Sequence, residues 1–255
     1  MGFSPEGTLA AGRYRLIEEI GRGASGVVWR AFDTRENAVV AVRRLADDGD
    51  VGLLYRRVWR ETQIVGRLLA YPDVVIPSDV VEEEGHVWVV MEYVPGPSLE
   101  RVLDGGPLAP RSAAGLAQHL LALLRVVHEA GIVHRNIRPT NIVLGARTRL
   151  MDIGVGATGE IPHDPRYVAP ERFEGERLST ASDVWELGAT LYTAVRGHAP
   201  YDRPSLAETL TAALTEPVPA ADGPLAPLLA RMLERRPGDR PTAGRALAEL
   251  QGLRF

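Results

Sequence analysis

Cysteine and lysine are both missing from this 255-residue chain. Without cysteine there is no disulfide, no thiol nucleophile and no thiolate metal site. Without lysine there is no Schiff-base or phosphate-loop lysine. All 29 basic residues are arginine, where roughly a dozen lysines would be ordinary. The plainer reading is codon bias, since Ala, Gly, Pro, Arg and Leu abound; the sharper one is selection against lysine-directed modification. Six histidines are scattered without ligand spacing, which argues against a structural zinc. No apolar run approaches the roughly 18 residues that span a bilayer, and the first twenty residues lack the basic start and apolar core of a secretory signal. A cytoplasmic chain with no membrane contact of its own is expected. A net charge of −4 argues against a nucleic-acid partner.

What is present reads as an ordinary globular protein, 45% hydrophobic and 24% charged, which excludes disorder and collagen-like repeats. The length suits one large domain or two small lobes around a shared cleft. Over the first ~95 residues the pattern is of strands: Tyr14–Ile20, Gly26–Phe32, Ala38–Leu45, Val74–Val81 and Val87–Val94. One helical pattern, Arg56–Leu69, interrupts them. Pro77 should weaken its strand, because it cannot donate a ladder hydrogen bond, and Glu82–Gly85 reads as a solvated turn. Arg56, Arg57, Arg60 and Arg67 read as a solvated basic face. Beyond Pro95-Gly96-Pro97 the pattern turns helical. Ser112–Ala130 carries an amphipathic stripe, and Asp183–Arg196 is almost wholly apolar, as a central buried helix would be. A small β-rich lobe followed by a larger helical lobe is an α+β arrangement.

The motifs come in a fixed order. Gly21-Arg22-Gly23-Ala24-Ser25-Gly26-Val27-Val28 is a G-x-G-x-x-G-x-V run between two strand patterns, which favours a phosphate-covering hairpin over a dinucleotide fingerprint. Val40-Ala41-Val42-Arg43 follows, then Glu61. Later come His134-Arg135-Asn136 with Asn141, Asp152-Ile153-Gly154, Ala169-Pro170-Glu171, Asp183-Val184-Trp185 and Arg240. Each is short, but the ordered set resembles the eukaryotic-like Ser/Thr protein kinases, the bacterial ones in particular. The resemblance runs over about residues 14–252. It implies a bilobal kinase-like α+β fold, with 1–13 as an N-terminal extension, 14–94 as the small lobe and 95–255 as the large one.

By that resemblance, Gly21, Gly23, Gly26 and Val28 belong to the nucleotide-covering loop, and Ala41 packs on adenine. Glu92 and Val94 are the hinge positions behind a gatekeeper, Met91, and Glu61 is the helix glutamate that pairs with the strand lysine. Asn141 and Asp152 are the metal-holding positions. Glu171 and Arg240 resemble a buried ion pair of the large lobe, and Asp183 the anchor under the catalytic loop. His134 is a packing residue of its motif rather than a proton carrier, and Ile153 stands for the usual phenylalanine.

The departures carry the functional reading. The family has an aspartate where this chain has Asn136. An amide accepts a hydrogen bond but takes no proton near neutral pH, and losing a positioned base lowers rates by about 10²–10⁴-fold. The phosphate-clamping strand lysine is Arg43, and the lysine two residues beyond the catalytic position is Arg138. In a chain with no lysine at all, both read equally as functional losses or as part of the same drift. Asn136 has no such excuse, because aspartate is used freely elsewhere. Asp164 stands where the family has a threonine that bonds the catalytic aspartate; with Asn136 opposite it the pair can form a hydrogen bond, where two carboxylates would repel. The segment Val155–Val168 holds a single serine or threonine, Thr158, so switching by phosphorylation of this loop is not expected.

The expectation is therefore a pseudokinase that works as a scaffold or allosteric partner for other proteins. It would bind ATP weakly, with Arg43 in the cofactor site, and Mg²⁺ only together with the nucleotide. The alternatives are an active atypical Ser/Thr kinase and a nucleotidyl transferase using the same cleft.

Overall fold

The computed structural model describes residues 9–23, 26–46, 49–153, 164–175 and 178–253. Ala24, Ser25 and residues 154–163, which include Gly154 and Thr158, lie outside them, as do the first eight residues of the N-terminal extension. The chain divides into two compact units, with the change from one to the other between Pro95 and Gly96.

The first unit is an antiparallel sheet in the order β1-β2-β3-β4-β6-β5. Its strands are β1 (Leu9–Ala10), β2 (Tyr14–Gly23), β3 (Gly26–Asp33), β4 (Ala38–Leu45), β5 (Pro77–Glu83) and β6 (His86–Glu92). Burial along β3 alternates residue by residue, as a sheet with one packed face requires. Tyr14, Leu16, Val27, Trp29, Ala31, Val42, Trp88 and Val90 form a core on that face. Gly26 has φ +122, and a Cβ there would stand 2.0 Å from the Arg44 carbonyl oxygen. Only glycine lets β3 approach β4 this closely at its first residue.

Three boundaries differ from the sequence reading, each for a local reason. Helix α1 runs Val51–Val65 rather than Arg56–Leu69. The Asp50 carboxylate caps its first turn by accepting from Leu53 N–H at 2.9 Å, and Gly66 opens a short 3₁₀ turn at its end. The fourth strand begins at Pro77, not Val74. Pro77 is the first residue of an edge strand, with a register shift directly after it, which is where a sheet accepts proline. The acidic turn is tighter than expected. Glu84 and Gly85 both have positive φ, as a two-residue hairpin turn needs, while Glu83 lies in β5 and accepts a hydrogen bond from the Ala11 N–H.

Arg13 ties the start of this sheet to its far side. Its guanidinium donates to both oxygens of Asp33, at 2.8 and 2.6 Å, and reaches Asp79 at 3.5 Å. The hydrogen bond from Arg13 holds the Asp33 carboxyl down at about 2. A depressed carboxyl stabilises the fold above the ordinary aspartate range and stops doing so as pH falls through its folded value. The stability difference between the wild type and Asp33→Asn is thus expected to shrink by about 2 kcal/mol between pH 5 and pH 2. Urea midpoints across that range read it directly; a pH-independent difference would contradict the assignment.

The second unit is helical: α2 (Leu99–Leu103), α3 (Pro110–Glu129), α4 (Pro170–Phe173), α5 (Thr180–Arg196), α6 (Leu206–Thr215), α7 (Ala226–Met232) and α8 (Ala243–Gln251), with a hairpin of β7 (Ile142–Leu144) and β8 (Thr148–Leu150). Helix α5 starts three residues before the apolar run, because Ser179 and Ser182 form a capping box. It stops at Gly197, in the left-handed conformation. Every residue from Ser182 to Ala194 is buried. A Cβ on Gly188 would meet Met232 and Leu233 at 3.0–3.2 Å, so its smallness brings α7 against α5. Trp185, Tyr192, Tyr201, Tyr167 and Leu233 fill the core around this helix. No helix among the described residues is long and apolar enough to cross a membrane.

Candidate functional site

In the second unit, the loop between α3 and β7 carries His134, Asn136, Arg138 and Asn141, and α5 holds it from beneath. Asp183, fully buried, accepts the backbone N–H of His134 on Oδ2 and of Arg135 on Oδ1, each at 2.8 Å. His128 Nε2 lies 2.8 Å from the same Oδ2. One turn along, Glu186 Oε2 accepts the Ile137 N–H at 2.8 Å. One turn further, Thr190 Oγ1 donates to the Ile137 carbonyl at 3.3 Å. Residues 183, 186 and 190 share one helix face, so three buried polar side chains fix four backbone groups of three loop residues. Arg135 adopts φ +69 within this clamp, a conformation a non-glycine residue keeps only where its surroundings impose it. Asp183 is thus the anchor the sequence implied. Glu186, Thr190 and His128 were not singled out there; the signal was three polar residues at helical spacing inside an apolar run.

Asn136 sits half-buried in the held loop. Its N–H donates to His134 Nδ1 at 3.3 Å, and its carbonyl accepts from Asn141 Nδ2 at 2.9 Å. Among the described residues its side-chain amide makes no hydrogen bond. It faces a small recess lined also by Ile137, Arg138, Asp164, Tyr167, Val168 and Glu186. The Asn136–Asp164 bond is not formed. Asp164 instead caps the 3₁₀ turn Pro165–Tyr167. Its two oxygens take a bidentate pair from Arg166, Nε at 2.8 Å and Nη2 at 2.9 Å. A partner two residues along the chain, with matched fork geometry, outcompetes a lone amide.

His134 is fully buried, and that burial pulls its pKa down and keeps the ring neutral, in line with a packing role. Glu186, also buried, is pushed the other way, up to about 8, by burial first and the Asp183 charge second. Its Oε2 receives the Ile137 N–H, while burial disfavours its charged form. Ile153 is fully buried.

Asn141 and Asp152 are brought together. The Met151 N–H donates to the Asn141 carbonyl at 2.8 Å, which sets Asp152 one residue beyond that bond. Both side chains are buried, and Asp152 has φ +67. Because the Asn141 NH₂ is spent on the Asn136 carbonyl, its amide oxygen is left as the donor, and it and the Asp152 carboxylate are both hard oxygen ligands of the kind Mg²⁺ takes. Among the described residues no three His, Asp or Glu side chains gather as a metal site, so such an ion would draw its remaining ligands from phosphate oxygens and water.

In the first unit, Gly21, Val28, Arg43 and Val89 form one cross-strand row, and Arg30, Ala41 and Met91 the next such row. Val28, Ala41, Arg43 and Met91 therefore share the sheet face opposite the Trp29 core. Met91 and Ala41 are buried. Glu61 lies in the last turns of α1, Glu92 ends β6, and Val94 follows two residues on. A Cβ on Gly23 would meet nothing within 4 Å, and one on Gly21 only Val28 at 4.0 Å. The backbone therefore requires glycine at Gly26 alone. At Gly21 and Gly23 a side chain would stand in open space.

Residues 14–250 match the protein kinase domain family. The chain is 35% identical over 265 residues to the serine/threonine-protein kinase PknK of Mycobacterium tuberculosis, covering 96% of this chain and 24% of that one. It is 34% identical over 266 residues to the serine/threonine-protein kinase PkaA of Streptomyces coelicolor, covering 91% and 48%. With PknD of M. tuberculosis the identity is 32% over 221 residues, covering 82% and 33%. The chain thus spans between a quarter and a half of the length of these relatives.

Proposed function

The chain belongs to the protein kinase domain family, and from that premise we propose that it is a degenerate member. In this reading phosphoryl transfer is impaired or absent, and the protein acts in the cytoplasm through protein partners, as a scaffold or allosteric element. One observation carries it: a rigidly held loop presents an amide, Asn136, at the motif position where the family has the aspartate that accepts the substrate hydroxyl's proton.

The neighbouring groups support the same reading. Two carboxyls line the recess beside Asn136, and neither is a ready base at neutral pH. Asp164 spends both oxygens on Arg166. Glu186 is tied to the Ile137 N–H, and burial disfavours its charged form. Arg138 and Arg43 replace compact ammonium charges with planar guanidinium groups, which contact phosphate with different geometry.

ATP with Mg²⁺ would supply the transferable phosphoryl group and the charge that stabilises it. On this chain Gly21, Gly23, Gly26 and Val28 would cover the phosphates and Ala41 the base, with Glu92 and Val94 offering backbone groups to its edge. Asn141 and Asp152 would hold the metal, and Arg43, paired with Glu61, would contact the phosphates. This set is consistent with weak binding. A rise in melting temperature of about 1–3 °C is expected at millimolar ATP with Mg²⁺, and Asp152→Ala should remove its Mg²⁺ dependence. No shift at that concentration would remove ATP from the proposal and leave the statement about transfer standing.

A second reading is a slow Ser/Thr kinase, favoured by the names of the relatives and by the retained Asn141–Asp152 pair. Transfer from α- or γ-labelled ATP separates the possibilities. Neither label should move at an ordinary catalytic rate; γ-label transfer would establish the kinase, and α-label transfer a nucleotidyl transferase.

A further inference from the structure

Large apolar side chains exposed to solvent are concentrated in one part of the first unit. Eight stand out among the described residues, and five of them fall between residues 53 and 71: Leu53, Trp59, Ile64, Leu69 and Tyr71, from 38% to 78% exposed. Exposed hydrophobics scattered singly are ordinary, whereas a cluster marks a contact surface. Leu53, Trp59 and Ile64 lie on α1, and Leu69 and Tyr71 on the chain just beyond it.

The same surface is basic. Leu53, Arg56, Arg60 and Ile64 follow the spacing of one helix face, with Trp59 on its flank and Arg67 three residues past Ile64. Arg56, Arg60 and Arg67 are exposed, and none of them forms an ion pair among the described residues. Glu61 is the one acidic residue of α1, and it shares the spacing of the buried Leu54, Val58 and Val65. No carboxylate of the helix therefore stands among these arginines.

Charge, spacing and composition define what covers such a face. Guanidinium groups interleaved with apolar side chains are matched by carboxylates interleaved with apolar side chains. Leu53 and Ile64 stand three turns apart, about 16 Å. A second helix repeats its contacts at the same pitch, whereas a strand, repeating about every 6.7 Å on one face, loses register within that length. Trp, Tyr and Arg are the residue types that anchor protein interfaces. A second copy docked by the same face would set arginine against arginine. A helix lying on a bilayer carries an unbroken apolar stripe with its cations at the border, and Arg56 and Arg60 interrupt this one.

We propose that the exposed face of α1, from Leu53 to Arg67, docks an acidic amphipathic helix of a partner protein. Its carboxylates meet Arg56 and Arg60 while its apolar side chains cover Leu53, Trp59 and Ile64. The surface uses no residue of the loop around Asn136. The inference goes beyond the impaired-kinase reading and holds whether or not the chain transfers phosphate.

The test uses the full chain and a displayed library of helical peptides of about 18 residues. Leucine is fixed at two positions three turns apart, with Asp, Glu, Gln, Lys and Arg mixed between them on the same face. Selection on the wild type should enrich Asp and Glu about threefold or more over Lys and Arg, and selection on Arg56→Glu/Arg60→Glu should reverse that preference. The best acidic peptide should bind Trp59→Ala and the charge-reversed variant about tenfold more weakly or worse. These positions are exposed, so melting temperatures should stay within about 3 °C of the wild type. Should the double variant fail to fold, Arg60→Gln beside Trp59→Ala carries the same comparison.

An absence of acidic enrichment, or acidic peptides that bind every variant alike, would overturn the proposal. Binding to phosphatidylserine vesicles that Trp59→Ala abolishes would assign the face to a membrane and overturn it as well. So would a dimer in sedimentation that Trp59→Ala dissolves, in favour of a second copy. Rapid γ-phosphoryl transfer by the wild type would defeat the impaired-kinase reading and leave this surface standing. A failed selection would defeat the surface and leave that reading untouched.

Discussion

Alanine in place of Arg240 is expected to lower the stability of the second unit by about 3–5 kcal/mol, a drop in melting temperature of about 6–15 °C. The guanidinium is buried and every one of its donors is used. Nη1 and Nη2 give a bidentate pair to Glu171, both at 2.8 Å. The remaining hydrogens go to the carbonyls of Glu234 (2.7 Å), Ala181 (3.0 Å) and Arg235 (2.8 Å). The group also lies over the Trp185 ring, 4.9 Å from its centroid. Removing it strands three carbonyls and leaves the Glu171 carboxylate with the Ser182 hydroxyl, at 2.8 Å, as its remaining side-chain partner.

Burial alone would raise the Glu171 carboxyl; the Arg240 hydrogen bonds and charge outweigh it and hold the group below its usual range. The pair therefore stabilises the fold above the ordinary glutamate range and is lost as pH falls below it. Arg240→Lys should recover little, since an ammonium cannot reach five acceptors arranged for a planar fork. Thermal melts of the three chains at neutral pH check this. A loss below about 1 kcal/mol in Arg240→Ala would mean that the pair does not lock this unit.

The second large effect concerns phosphoryl transfer. Active kinases turn over at about 1–100 s⁻¹, and removal of a positioned base lowers rates by about 10²–10⁴-fold. The expected turnover of this chain therefore lies between about 10⁻⁴ and 1 s⁻¹. The loop cannot repair the loss by moving. Asp183, Glu186 and Thr190 fix the backbone on both sides of Asn136, and Asn141 fixes its carbonyl. Asp164 is held by Arg166 and Glu186 by the Ile137 N–H, so neither neighbouring carboxyl is free to take the place of the missing base.

Much of the fold is written locally and could be read. Strand β4 runs over the very residues its β-branched pattern marked, Ala38–Leu45, and α5 follows from an apolar run too long for anything but a buried helix. What escaped depends on groups outside the periodic stretch. Asp50 starts α1 five residues before its apolar stripe, and the Ser179–Ser182 box does the same for α5. Short helices such as α7, with proline at its start, carry too few turns for a period to stand out.

The site divides the same way. Asn136, Asn141, Asp152 and Asp183 were legible because each belongs to a short ordered motif. Glu186 was not, because a glutamate inside a buried helix acquires meaning only once the loop lies across it. Asp164 was placed against Asn136 by family habit, whereas its carboxylate is claimed by Arg166, two residues away.

The most direct test of the account is γ-phosphoryl transfer from ATP–Mg²⁺ to serine and threonine peptides, and to the chain itself. It should use the purified wild type, with Asp152→Ala prepared identically as the background for contaminating kinases. The account predicts that the two preparations are indistinguishable, or that the wild type exceeds the background only at rates below about 1 s⁻¹. Transfer by the wild type at about 1–100 s⁻¹, abolished in Asp152→Ala, would contradict it.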